Sequence, residues 1–169
     1  MAARVVKWDE LSSIIDESLG NEQPQEAQEA AIVAQGLAKS ATMLAARYDL
    51  VFTNVPYLGA GKQHDRVQKY IDDFYEEGRP DLATAYVLRI RETCKASHGT
   101  AALVTPHSWM FQSSYEDFRR RVLRDARFRF IVTLGEEAWS SFGNRGPRAT
   151  LISFDADQHN NNAVFFGIK

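Results

Sequence analysis

The chain has 169 residues, of which 44% are hydrophobic and 25% charged, with a formal net charge of −2. That length suits one domain with a sizeable core, and the balance is ordinary for a soluble globular protein. A near-neutral total excludes a global basic field, so a self-sufficient DNA-binding protein is not expected; a catalytic piece whose grip on DNA lies elsewhere is compatible with it.

Cys94 is the sole cysteine, which excludes an internal disulfide and a thiolate metal site, and no metal is expected. The start, Met1 to Lys7, lacks the apolar core of a signal peptide, and no apolar run reaches the length of a membrane span. A cytoplasmic protein without membrane contact is the expectation.

Taken in order, residues 7–19 read as an amphipathic helix with Trp8, Leu11, Ile15 and Leu19 on one face, broken at 20–24. Residues 25–47 read as an Ala-rich helix with Val33, Leu37, Ala41 and Leu44 along one stripe. No chemical motif precedes residue 48, and packing is the better reading for both helices. Tyr48 to Asn54 then reads as a buried strand of a parallel sheet, with Leu50-Val51-Phe52 covered on both faces. Pro56 cannot donate a ladder bond, so the strand stops near Asn54. Leu58 to Lys62 reads as a flexible loop. A helix over 64–77 follows, with Val67, Tyr70, Ile71 and Phe74 on one face and Gly78 as its stop. Asp81 is the expected N-cap of a helix over 82–96, which makes Cys94 a core thiol.

Thr100 to Thr105 is a second strand, stopped by Pro106. Ser113-Ser114-Tyr115-Glu116 matches a capping box for a helix over 114–126, with Tyr115, Phe118, Val122 and Ala126 inward. Arg119, Arg120, Arg121 and Arg124 crowd this helix, with Arg127 and Arg129 after it; a solvated face is preferred over phosphate contact. Strands over 128–134, 149–154 and 163–166 complete the chain. Strands alternating with helices predict a mostly parallel sheet, and the last strands, joined without a helix, predict an antiparallel hairpin at one edge.

Asn54-Val55-Pro56-Tyr57 at a strand end has a definite chemical use. The Asn54 side-chain oxygen can accept from an exocyclic amine. The Val55 carbonyl, held extended by the proline after it, is a second acceptor. Tyr57 offers a face for a planar base, worth roughly 1–3 kcal/mol in comparable stacks. Catalysis by such a set is orientation and stabilisation of charge on nitrogen. A proline-ended strand whose Asn caps the next turn explains the tetrapeptide alone more simply; its context changes the balance.

The stretch Tyr48 to Tyr57 resembles the catalytic motif of amino-methylating adenine DNA methyltransferases, Asn/Asp/Ser-Pro-Pro-aromatic after a Tyr-Asp-containing strand. Asp81 to Tyr86, Ala101 to Met110, Ser114 to Arg119, and Leu134-Gly135 followed by Trp139 and Phe142 are similar to that family's later motifs, in its order. The nearest flavour is that of phage-defence methyltransferases of the BREX PglX type and related restriction–modification fusions, over residues 48–154. The resemblance implies a partial Rossmann-like, class I methyltransferase fold with a helical N-terminus, divided as 1–47 and 48–169. It implies methyl transfer from S-adenosylmethionine to the amine of a flipped adenine. It makes Asn54, Val55, Pro56 and Tyr57 catalytic, sets Trp139 (or Phe142) on the base's other face, and puts Leu82 near the cofactor's adenine.

Two departures stand out. Val55 replaces the family's proline, which implies a less rigid turn. The Gly-rich loop that admits the cofactor is not recognisable: Gly20 and Gly36 precede Tyr48 without a buried strand, and Gly143 and Gly146 precede a strand. The implied chain is a catalytic-motif half without its own cofactor half, with an open sheet edge, inactive alone, and partnered by DNA, the rest of a methyltransferase or a second copy. The alternative is a non-catalytic assembly or dimerisation module built on that scaffold.

Overall fold

The computed structural model describes residues 25–135, 146–156 and 166–168. The helix expected over 7–19 lies outside them. The chain divides into two compact units, Met1–Ala46 and Arg47–Lys169. In the first, helix α1 spans Gln25–Ala45. Ser40 and Thr42 turn their hydroxyls back onto the carbonyls of Gly36 and Ala38, at 2.8 and 2.9 Å, so neither interrupts the helix. The expected stripe is not the covered one: Val33, Leu37 and Leu44 are exposed, whereas Ala38 is buried. Periodicity identifies residues that share a face, but not which face is covered.

The second unit holds a five-stranded sheet in the order β1-β2-β4-β3-β5, formed by β1 (Leu50–Asn54), β2 (Thr100–Pro106), β3 (Arg127–Leu134), β4 (Ala149–Asp155) and β5 (Phe166–Ile168). β1 runs parallel to β2, with Asn54 opposite Val104. β4 is antiparallel to both β2 and β3, and β5 is parallel to β3. The expected antiparallel pairing is therefore between β3 and β4, and β4 lies inside the sheet, with the short β5 at that edge. The composition of β4 accounts for its place: Ala149, Thr150, Ile152, Ser153 and Phe154 are all buried, as an interior strand requires.

β1 differs from the expectation of a strand covered on both faces. It is an edge strand, and Leu50 and Phe52, which share one face, are 57% and 75% exposed. Its amino end is firmly tied. Tyr48 donates to the Thr93 carbonyl and accepts from Lys95 N–H, at 2.8 and 2.9 Å. The Asp49 carboxylate takes Lys95 Nζ at 2.9 Å and His98 Nε2 at 2.7 Å. Those bonds, Lys95 first and His98 second, hold its carboxyl below the usual carboxylate range.

Three helices serve the sheet: α2 (Asp65–Phe74), α3 (Leu82–Thr93) and α4 (Glu116–Asp125). α2 ends sooner than expected, because Tyr75 leaves the helix to enter the core and its hydroxyl donates to Glu92 at 3.0 Å. A short 3-10 turn, Glu76–Gly78, follows. Gly78 is required there: a Cβ would stand 2.7 Å from the Ala85 Cα. α3 contributes Ala83, Thr84, Ala85, Val87, Leu88 and Ile90 to the core and ends before Cys94, which is buried as expected. Burial pushes that thiol up. The capping box does not form. Ser113–Tyr115 is a 3-10 turn, α4 starts at Glu116 without a side-chain cap, and Glu116 pairs with Arg120 one turn on, at 2.6 Å. Tyr115, Phe118, Val122 and Ala126 do point inward. Beyond Arg120, three of these arginines pair with carboxylates: Arg121 with Glu77 at 2.6 Å, Arg124 with Asp125 at 2.9 Å, and Arg129 with Asp155 at 2.8 Å.

Candidate functional site

Parallel strands bring their carboxyl ends to one rim. Asn54 closes β1, and Pro106 closes its neighbour β2. In open α/β sheets that rim receives ligands. Asn54 and Pro56 are exposed there, whereas Val55 between them is only 2% exposed and belongs to the core. The buried Val55 side chain sets the alternation, so Asn54 faces away from the core at the strand's end.

Val55 does more than replace a proline. Its N–H donates to the Val104 carbonyl at 3.2 Å, extending the β1–β2 ladder one residue past the strand. Proline has no N–H to give. The restraint lost with proline's fixed φ is met by a hydrogen bond and a buried side chain.

Tyr57 is half-buried and packs against the core. Its hydroxyl is buried without a partner among the described residues. Burial, and then the negative charge of Asp81, push this phenol up, so it stays neutral at physiological pH. The loop after it is not flexible in the expected sense. Ala60–Lys62 forms a 3-10 turn, and Gly59 bridges Asp81 across the start of α3. Leu58 N–H donates to Asp81 Oδ1 at 3.2 Å, and the Leu58 carbonyl accepts from Leu82 N–H at 2.9 Å and Gln63 Nε2 at 2.8 Å. Asp81 Oδ1 also caps α3 through Ala83 N–H at 2.8 Å, as its sequence position implied. Leu82 is half-buried at the first turn of α3, beside this junction.

The second rim element is the turn His107–Met110. It is rigidly built. Trp109, 4% exposed, donates from Nε1 to Thr105 Oγ1 at 2.9 Å and stands edge-on to Phe118, with ring centroids 5.5 Å apart. Arg119 spans the carbonyls of Trp109 and Gln112, at 2.8 and 2.7 Å. The turn projects Phe111, 65% exposed, with the His107 ring 4.6 Å away. Sequence reasoning did not single out Phe111; nothing in its neighbours distinguishes an outward Phe from a core one. Nor could it find the Asp81–Leu58 bond, which joins residues 23 positions apart.

Trp139 and Phe142 lie outside the described residues. In the connection from β1 to α2, Gly59 and Gly61 come only after the Asn54–Tyr57 turn, with Ala60–Lys62 in a 3-10 turn. β1 ends in Val55-Pro56-Tyr57, and β2 ends in a proline and a tryptophan-anchored turn. No group of three or more His, Cys, Asp or Glu that could hold a metal ion occurs among the described residues. No described helix is long and apolar enough to cross a membrane.

Comparison with known proteins places the chain in a family. The adenine-specific methyltransferase PglX of Lacticaseibacillus casei (strain Zhang) is 33% identical over 79 residues, which cover 47% of this chain and 6% of that protein. BrxX of Escherichia coli O9:H4 (strain HS), also an adenine-specific methyltransferase, is 29% identical over 112 residues, covering 66% of this chain and 9% of its own. The chain thus spans less than a tenth of the length of these relatives. Among solved structures, the methyltransferase subunit of a type I restriction–modification system from Streptococcus thermophilus superposes with a TM-score of 0.54 at 17% identity, covering 83% of this chain and 33% of that one. The fold is that of part of a class I S-adenosylmethionine-dependent methyltransferase. A family model described as Eco57I restriction-modification methylase matches residues 4–139, and the chain belongs to that family.

Proposed function

We propose that this chain supplies the amine-binding rim of a DNA adenine methyltransferase that takes its methyl group from S-adenosylmethionine. The observation that carries this reading is the set at the β1 end: an exposed Asn54, a Val55 whose side chain is buried and whose N–H is bonded to β2 just before Pro56, and a neutral, half-buried Tyr57. Asn54 Oδ1 and the Val55 carbonyl accept the two amine hydrogens of an adenine rotated out of the duplex. Both acceptors orient the nitrogen lone pair, and both favour the positive charge that develops on it. S-adenosylmethionine would supply the methyl group, whose carbon would pass from sulfur to the amine nitrogen that Asn54 and Val55 orient, with the surplus proton leaving to water. Tyr57 supplies one stacking face, and Trp139, with Phe142 as alternative, the other. Leu82 borders the cofactor's adenine.

The cofactor half comes from elsewhere: the rest of a longer chain or a partner subunit. Residues 1–47 and 48–169 act as separate segments, the second carrying the chemistry. The β1 edge, with Leu50 and Phe52 exposed, suits a further strand from that half, since an unpaired apolar edge strand is a template for pairing. The same edge favours a second reading, an assembly module in which a second copy or another subunit pairs with β1 and no methyl is transferred.

Asn54→Ala in the complete methyltransferase separates the two. Under the first reading, methyl transfer to adenine is abolished while S-adenosylmethionine still binds. Methylation at the unaltered rate would remove Asn54 from the site and leave the assembly reading.

A further inference from the structure

The turn that carries the chemistry has few means of holding itself. Pro56 has no N–H, and the turn around it is held on one side at Val55 N–H and on the other at Leu58 N–H. The first is fixed to β2 through the Val104 carbonyl. The second is fixed to one carboxylate oxygen, Asp81 Oδ1, which at the same time caps α3 at Ala83 N–H. Around this joint, Leu82 N–H closes on the Leu58 carbonyl at 2.9 Å, Ala60 N–H on the Pro80 carbonyl at 3.1 Å, and Thr84 Oγ1 on the Gly78 and Asp81 carbonyls at 2.7 Å each. The α3 amino end is itself immobile, because Ala83, Thr84 and Ala85 are buried in the core.

We infer that Asp81 is a positioning residue for methyl transfer: its Oδ1 couples the end of the Asn54–Tyr57 turn to the rigid amino end of α3, and so sets the Val55 carbonyl and the Tyr57 ring relative to Asn54. The inference rests on the reading of Asn54 given above and deepens it. A carboxylate suits the task. Its hydrogen bonds to two N–H groups are charge-assisted, so each is stronger than a neutral one. It is also drawn to the positive end of the helix dipole, which aligns the acceptor without further partners. The Asp81 charge next to Tyr57 adds to the burial that keeps the phenol neutral.

Three substitutions separate positioning from helix capping. Asp81→Asn keeps an Oδ1 that can accept from both Leu58 and Ala83. Asp81→Ser keeps a good N-cap, but its hydroxyl is one atom too short to reach Leu58 as well. Asp81→Ala loses both. In the 169-residue chain, amide hydrogen exchange at Leu58 should quicken roughly tenfold in the Ser and Ala variants and stay near the wild-type rate in Asn. In the complete methyltransferase, Asp81→Ser should lower kcat about 10- to 100-fold with the KM for DNA unchanged, and Asp81→Asn should restore most of it. Leu58 exchange unchanged in Asp81→Ser, or wild-type kcat in Asp81→Ser, would overturn the inference. Wild-type protein that does not methylate adenine at all would instead sink the Asn54 reading, and this inference with it.

Discussion

Single residues at the rim do work that their type alone does not announce. Val55 stands where the family's pattern has proline, and its N–H bond to Val104 is a restraint proline cannot make. Val55→Pro should therefore lower stability by about 1 kcal/mol in urea unfolding, because the Val104 carbonyl loses its donor. A rise in stability would mean that the fixed φ of proline outweighs the bond. Tyr75 illustrates a different balance. Burial, then its hydrogen bond to Glu92, push its phenol up to about 12. An unfolded tyrosine titrates near pH 10, so the folded state holds the proton more tightly. The resulting stability is fully present below pH ~10 and is lost as pH rises toward about 12. Tyr75→Phe should flatten the fall in melting temperature across that alkaline window and cost about 1 kcal/mol at neutral pH, where the bond to Glu92 is lost. An identical alkaline profile in the Phe variant would assign the loss to other groups.

At the scale of elements, the site is held by connections rather than by strands alone. The segment from Leu58 to Gln63 is clamped onto the start of α3, and the turn after β2 is anchored by Trp109 and spanned by Arg119. Both clamps follow the carboxyl ends of neighbouring parallel strands. The 3-10 turn at Gly78 packs its backbone directly on α3, leaving no room for a methyl group. Gly78→Ala should destabilise by about 1–3 kcal/mol, since the obstructing atoms are backbone and cannot swing aside. Denaturant midpoints measure this, and an unchanged midpoint would mean that the turn shifts freely. Capping behaved differently at the two helices of the crossovers. Asp81 capped α3 as its position implied, because the residue precedes a core helix directly. Glu116 found Arg120 first, so the box expected at α4 gave way to a 3-10 turn.

At the scale of the whole molecule, the sheet is one-sided in its completeness. β2 and β4 are interior, whereas β1, which carries Asn54, is an edge with apolar side chains exposed. A chain with this edge and no glycine-rich cofactor turn among its described residues should bind S-adenosylmethionine weakly or not at all. Calorimetry on the 169-residue chain checks this, and a tight stoichiometric complex would overturn the proposal that the cofactor half lies elsewhere. The sequence by itself determined the alternation of strands and helices, the strand-ending Asn54-Val55-Pro56-Tyr57 turn, the Asp81 cap and the inward face of α4. These rest on local rules: proline lacks a donor, side chains on a helix recur every three to four residues, and a short polar side chain caps the next turn. Only the tertiary structure decided that β4 enters between β2 and β3, that β1 is an edge, that the large apolar side chains of α1 are exposed, and that Asp81 reaches back to Leu58. Each of these depends on pairing between residues distant in the chain, where many partners satisfy the same local pattern and the packed core selects one.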